Sequence, residues 1–276
     1  MKPPTTTVLV RGAASVLVGA VALVFVFPFA WMLLASFKSN PEIFRPFPLI
    51  PGAFPLDHYR ALFDGSLLPF PRQFANSLIV ASVQTALMLA LAVPAGYAFA
   101  QHRFAGRRAL LGLALGTVVL PAPALALPLF AWMHRLGLYD TLPAAILPGI
   151  ASGLAVIFFT MVFRRVPREL VDLARGEGAS EGRVLRTLLP LVSPAVLTFG
   201  LIHFVLAWQE HLIPLVMLGS AANKTLPVAL ASLYGSTLRY PYAALMAACF
   251  LTTLPTAAAY VLLRRQFRSA LRELVR

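Results

Sequence analysis

Cysteine is almost missing from this chain. Cys249 is the one thiol among 276 residues. No internal disulfide can form, and there is no CxxC or Cys/His zinc pattern. Cys249 lies in an apolar run, where a lone thiol serves as a small packing residue. Charge is scarce too: Asp, Glu, Lys and Arg make up 12% of residues, against about 25% in soluble domains. No GxxxxGK[ST] phosphate loop occurs, so the sequence gives this polypeptide no means of hydrolysing ATP alone. The five histidines, at 58, 102, 134, 203 and 211, are scattered rather than gathered beside Ser, Asp or each other, as a catalytic site requires. The chain is therefore read as neither an enzyme nor the holder of a metal or cofactor. Formal net charge is +13, yet no basic run interleaved with aromatics marks a nucleic-acid groove.

What the chain has is apolar length. Hydrophobic residues are 59% of the total and mean hydropathy is +0.80. A helix needs about 20 apolar residues to cross the hydrocarbon of a bilayer. Six stretches qualify: 12–35, 76–100, 109–132, 143–163, 194–218 and 242–263. The expected fold is all-α, a single polytopic domain over 1–276 with six transmembrane helices. The first stretch is longer than a signal-peptide core and is read as an uncleaved helix. Basic residues mark the cytoplasmic side. With the N-terminus inside, the inner segments carry Lys2, Arg11, Arg103, Arg107, Arg108, Arg164, Arg165, Arg168, Arg175, Arg183, Arg186, Arg264, Arg265, Arg268, Arg272 and Arg276. That is sixteen of the twenty-three Lys plus Arg, and it places both termini in the cytoplasm.

Proline punctuates the rest. The outer loop 36–72 holds Pro41, Pro46, Pro48, Pro51, Pro55, Pro69 and Pro71. Proline removes a donor and blocks regular helix, so this loop is expected to be irregular, with one short helix at Asp57 to Phe63. Pro94, Pro121, Pro123, Pro128, Pro214 and Pro255 fall inside the spans. Each is a potential kink, and the Pro121–Pro128 run is the densest.

Between spans four and five lies a polar island, 164–193. It holds six arginines and four of the ten acids, Glu169, Asp172, Glu177 and Glu181. Leu170, Leu173 and Ala174 recur at helical spacing, after Pro167 at the start of a helix. Gly176 and Gly178 then permit a sharp turn. Ser180 stands as N-cap of a second helix, whose apolar side is Val184, Leu185, Leu188 and Leu189 and which Pro190 and Pro194 are expected to end. A helix–turn–helix with a charged rim fits either an amphipathic element on lipid headgroups or a docking knob. The glycine elbow and the carboxylates favour the knob.

The run ELVDLARGEGAS followed by RTLLPLVSP resembles the coupling loop of importer permeases of the ATP-binding-cassette class. Asp172, Leu173 and Ala174 fall on the Glu-Ala-Ala positions of that signature, Gly178 on its glycine, and Leu189-Pro190 on its closing Leu-Pro. FANSLIVASVQT, GYAFAQHRFAGRRAL, LGLYDT, AWQEHLIPLVML and TLPVALASL are similar to the maltose-type sugar permeases of the same class. The resemblance runs from about Phe74 to the last span, 74–264. The chain departs from the pattern in having Asp172 for Glu and Leu173 for Ala, in a spacing from Gly178 to Pro190 one residue short, and in a C-terminus without the usual small-residue tail.

The resemblance implies a permease subunit in a bacterial or archaeal cytoplasmic membrane. Its partners would be a second permease, forming a heterodimer, two ATP-binding subunits that hold ATP and Mg, and an external solute-binding protein. No nucleic acid is involved. Asp172, Leu173, Ala174, Gly178, Ala179, Ser180 and Glu181 would couple to the ATPases. Trp208, Gln209 and Glu210 in span five offer an aromatic face, an amide and a carboxylate suited to a sugar, glycerol phosphate or other polyol. Glu210 is the acid expected at membrane depth, and His203 and His211, eight apart, would share a helix face. Asn76, Gln84 and Tyr97 in span two are lesser candidates. The competing reading is an ion-gradient-driven secondary transporter, which would favour inverted repeats and several intramembrane charges.

Overall fold

A computed structural model describes residues 5–45, 47–233 and 241–274. Of the basic residues, Lys2, Arg239 and Arg276 lie outside them, as does Pro46 of the outer loop. Arg11 and the arginines from Arg264 to Arg272 are described in backbone only. Every regular element among the described residues is a helix. The chain divides into two compact units, residues 1–69 with 232–254, and residues 70–231 with 255–276.

In the first unit, α1 (Thr5–Ala35) is apolar over residues 14–35 and exposed from residue 14 to residue 30, with its last turn half-buried to buried. An all-round apolar helix of this kind is built for lipid. The loop after it is more ordered than its prolines suggest. A capping box closes between Ser39 and Glu42 at α2 (Asn40–Ile43), each side chain meeting the other's backbone N–H. The expected short helix stands at α3 (Asp57–Phe63). Lys38 is only 2% exposed; its Nζ donates to the Pro48 carbonyl at 2.8 Å and sits 4.8 Å from the Trp31 ring centre. A cation–π contact and a carbonyl thus hold a buried ammonium that no carboxylate among the described residues binds.

The second unit is organised on α4 (Phe70–Gln101), which packs against α7 (Leu142–Ile150), α8 (Gly153–Arg164) and α10 (Glu181–Gln209). Small residues let these helices approach closely, as helices in lipid require. At Gly96 an added Cβ would run into Phe159 of α8, and at Gly149 into the Gln84 side chain of α4. Tyr97, Phe159, Phe163, Val171, Val184 and Leu188 belong to one buried cluster that α4, α8 and α10 share with α9 (Arg168–Gly176).

Among the described residues, four helices are long and apolar enough to cross a membrane: residues 14–35 of α1, α4, α10, and residues 242–262 of α13 (Tyr242–Leu274). Two bent pairs supply the other two of the six expected spans. The first is α5 (Arg107–Val119) with α6 (Ala122–Arg135), bent by 109°. The chain breaks at Leu120–Pro121, where the proline run begins. The second pair, α7 with α8, bends by 43°. Its break falls at Ala151–Ser152, with Ser152 Oγ accepting from the Ala155 N–H at 3.2 Å to cap α8. That bend was not foreseen, because no proline stands at the break.

The fifth span differs from expectation at both ends. The second island helix does not stop at Pro190 and Pro194; both prolines lie inside α10, which runs unbroken from Glu181 to Gln209. The expected span to Leu218 is interrupted instead at Glu210–His211, after which α11 (Leu212–Met217) begins. The remaining short helix described is α12 (Leu226–Leu233).

Candidate functional site

Arg168 to Gly176 form α9 with Pro167 at its N-cap. Its end is fixed by backbone chemistry. The Gly178 N–H donates to the Arg175 carbonyl at 2.9 Å and the Ala179 N–H to the Ala174 carbonyl at 3.2 Å, the paired bonds of a Schellman cap. That cap needs a residue in the left-handed region, and Gly178 supplies it with φ of 77°. Nothing within 4 Å would obstruct a Cβ at Gly178, so the position calls for glycine through conformation, not crowding. Ala179 packs against the buried cluster, and Ser180 then serves as N-cap of α10 with extended backbone and no side-chain cap bond.

The apolar faces of α9 are divided. Val171 is 1% exposed and Ala174 packs beside it, both against the cluster under α4 and α8. Leu170 and Leu173 point the other way and are 45% and 65% exposed. The sequence reading placed Leu170, Leu173 and Ala174 on one face; the structure corrects this, because Val171 is the anchor of α9. The outward leucines, with exposed Asp172 between them, give the knob an apolar tip ringed by charge. On α10, Val184 and Leu188 are buried and Leu185 and Leu189 pack partly beside them, as expected.

Glu181 is the most densely bonded member of the set. The Tyr97 hydroxyl donates to its Oε2 at 2.6 Å. Arg175 Nε donates to Oε1 at 2.9 Å and its NH2 group to Oε2 at 3.2 Å. His102 Nε2 stands 3.1 Å from Oε2. The carboxylate raises the Arg175 pKa above its ordinary value, because the ion pair favours the charged guanidinium. Tyr97 was a minor candidate for the solute path; it is bonded into the knob instead. Its partner lies 84 residues away, and no local pattern links the two.

The candidates at the other end of α10 separate. Trp208 is 4% exposed, edge-on to Phe74 and stacked near Phe204. Gln209, the last helical residue, is exposed. Glu210 Oε1 accepts from the Leu212 N–H at 2.8 Å and the Ile213 N–H at 3.3 Å. Its carboxylate therefore occupies the start of α11, where free N–H groups and the helix dipole favour an anion. Because the helix ends before it, His203 and His211 do not share a face. His203 Nδ1 pairs with Thr85 Oγ1 at 3.0 Å. Asn76 donates its amide to the Ala222 and Lys224 carbonyls at 2.9 and 3.1 Å.

Asp140 was overlooked in sequence. Its Oδ1 accepts from the Gly219 and Ser220 N–H groups at 2.9 and 3.0 Å and from the Ser220 hydroxyl at 3.1 Å. Its own backbone sits at φ of 59°, a region Asp tolerates better than most residues. The Ser220 N–H, first among these contacts, helps hold the Asp140 carboxyl below its ordinary pKa. Its place in the LGLYDT stretch was visible; that its carboxylate fastens a segment some eighty positions on was not. Among the described residues no group of three or more His, Cys, Asp or Glu is arranged to hold a metal ion.

Comparison with known proteins gives concordant results. A family model described as binding-protein-dependent transport system inner membrane component matches residues 92–272. The trehalose transport system permease protein SugB of Mycobacterium tuberculosis is 31% identical over 248 residues, covering 88% of this chain and 89% of that protein. The arabinooligosaccharides transport system permease protein AraQ of Halalkalibacterium halodurans is 34% identical over 258 residues, 91% of each. The trehalose/maltose transport system permease protein MalG of Thermococcus litoralis is 30% identical over 260 residues, 92% of this chain and 93% of that protein. In fold, the chain matches a crystal structure of a bacterial ABC transporter involved in import of the acidic polysaccharide alginate. The TM-score is 0.82 at 20% identity, over 95% of this chain and 98% of that one.

Proposed function

The chain belongs to the family of binding-protein-dependent transport system inner membrane components, and from that premise we propose how it works. It is a multi-pass permease subunit of an ABC importer. It forms half of the translocation path for a sugar or sugar-like solute and pairs with a second, non-identical permease. Relatives named for trehalose and arabinooligosaccharides support the solute class. Two ATP-binding subunits engage it below and an external binding protein delivers solute above. Both of its termini lie in the cytoplasm, on the balance of basic residues.

One observation carries the coupling reading: the knob at α9 presents Leu170, Asp172 and Leu173 outward while Val171 pins its other face to the bundle. Apolar side chains ringed by charge are what a protein cleft binds. This chain has no phosphate loop of its own, so the energy enters through that contact. ATP can bias the permease only if the ATPase grips the knob differently in its two states. When the ATPase pair closes, the knobs move with it and the spans tilt between inward and outward openings. Glu210, Gln209 and Trp208, where α10 breaks, lie on the solute path in this reading.

The test is co-purification followed by reconstitution. A tagged permease is expected to bring down both ATP-binding subunits, and vesicles holding the complex and its external receptor to accumulate sugar when ATP is supplied. Uptake driven by an ion gradient without ATP would establish the secondary-transport reading instead.

A further inference from the structure

We propose that Tyr97, His102 and Arg175 act through Glu181 as positioning residues that set the angle of the coupling knob, and so the amount of transport obtained per ATP. This rests on the transport reading above and adds residues it does not include. The knob has few other restraints. Between its two helices lies the Gly178 turn, at φ of 77°. On α9 one side chain, Val171, is fully buried. Unrestrained, a nine-residue helix hinged at such a turn would yield when pushed.

Glu181 braces it from three directions. Arg175, in the last turn of α9, reaches across the elbow with two bonds to the carboxylate. Tyr97 and His102, at the end of α4 and just past it, hold the same carboxylate from the bundle side. The knob is thus braced to α4, not only continuous with α10. The groups are partly exposed, Arg175 at 33%, His102 at 37% and Glu181 at 48%. Their value therefore lies in direction more than in raw stability. Tyr97 is 4% exposed and packs edge-on to both Phe163 and His102, so its hydroxyl is aimed by buried neighbours.

The experiment uses the whole importer, with both permeases, ATPase subunits and external receptor, reconstituted in vesicles. ATP hydrolysed per solute imported is measured for Tyr97→Phe, Arg175→Gln and Arg175→Lys. In Tyr97→Phe and Arg175→Gln the ratio is expected to rise about threefold to tenfold, the size of one weakened charge-assisted bond read as coupling. Complex yield should be unchanged, and Arg175→Lys, which keeps the charge, should recover most of the coupling. An unchanged ratio in both Tyr97→Phe and Arg175→Gln overturns the proposal. So does a lower yield of complex whose surviving fraction couples normally, since that marks a purely structural role. Failure of the unaltered permease to bind ATPase subunits at all would defeat the transport reading instead.

Discussion

Gly96 of α4 lies directly against Phe159 of α8, with no space between them for even a methyl group. This contact brings together the two helices that carry Tyr97 and Phe163, and the knob is built on those residues. Replacing Gly96 with Ala should cost about 1–3 kcal/mol, the usual penalty for overfilling a packed interior, seen as a lower melting temperature of the detergent-solubilised protein. Gly112 of α5 has nothing within 4 Å of a would-be Cβ, so Gly112→Ala is the control. It should leave the melting temperature unchanged or raise it slightly, since Ala is the better helix former.

Gly178→Val should abolish ATP-driven uptake while the chain still inserts in the membrane. The left-handed backbone costs a non-glycine residue about 1–2 kcal/mol, and a β-branched side chain resists it more. The Schellman cap would open and α9 would lose its direction. Uptake into whole cells, with permease quantified in the membrane fraction, decides the matter. Normal uptake by the valine variant would remove the elbow from the mechanism.

Leu173→Asp tests the docking tip. Its side chain is 65% exposed, so folding should be indifferent to the change. An interface anchor, by contrast, is worth about 2 kcal/mol or more, roughly thirtyfold in affinity. The expected result is loss of the ATPase subunits in pull-downs at an unaltered melting temperature.

Asp140→Ala should lower stability by about 1–2 kcal/mol, because the left-handed backbone then carries an unsuited residue and three donors lose their acceptor. Asp140→Asn, which tolerates that backbone and keeps one oxygen, should fall between Ala and the native residue. The carboxyl is held below its ordinary value in the fold. Its contribution is therefore complete above about pH 4 and is lost as the pH falls through the depressed value. Melting curves taken at descending pH should show this acid-sensitive step in the native protein and not in the Asn variant.

Glu210 separates capping from solute contact. Glu210→Gln retains an oxygen for the Leu212 and Ile213 N–H groups, whereas Glu210→Ala removes it and should cost about 1 kcal/mol. If Glu210 lies on the solute path, the Gln variant melts normally but needs a higher external solute concentration for half-maximal uptake. An unchanged half-saturation in Gln would confine Glu210 to its cap.

Much of this molecule is legible from its residues. Six apolar stretches, the helix at Asp57–Phe63, the elbow at Gly178 and the break near Pro121 all follow from local chemistry: hydrophobic length, turn residues, missing donors. The misreadings share a different origin. Helical spacing groups Leu170 and Leu173 with Ala174, yet Val171 is the anchor, and only the packing of α9 on α4 and α8 reveals which side faces in. Pro190 and Pro194 read locally as stops, but a long apolar helix packed on neighbours absorbs two lost donors. The bonds from Tyr97 to Glu181 and from Asp140 to Ser220 join positions 84 and 80 residues apart. No periodicity encodes such pairs; they exist because the helices bring them together.

The continuity of α10 has a mechanical meaning. Glu181 to Gln209 is one helix of 29 residues, so the Gly178 elbow and the break at Glu210 stand at the two ends of a single rod about 40 Å long. Pivoting such a rod by about ten degrees at its Glu181 end sweeps its Gln209 end through about 7 Å. In the transport cycle proposed above, a modest rotation at the knob would thereby become a displacement comparable to the width of one monosaccharide at the spot where the backbone finally lets go.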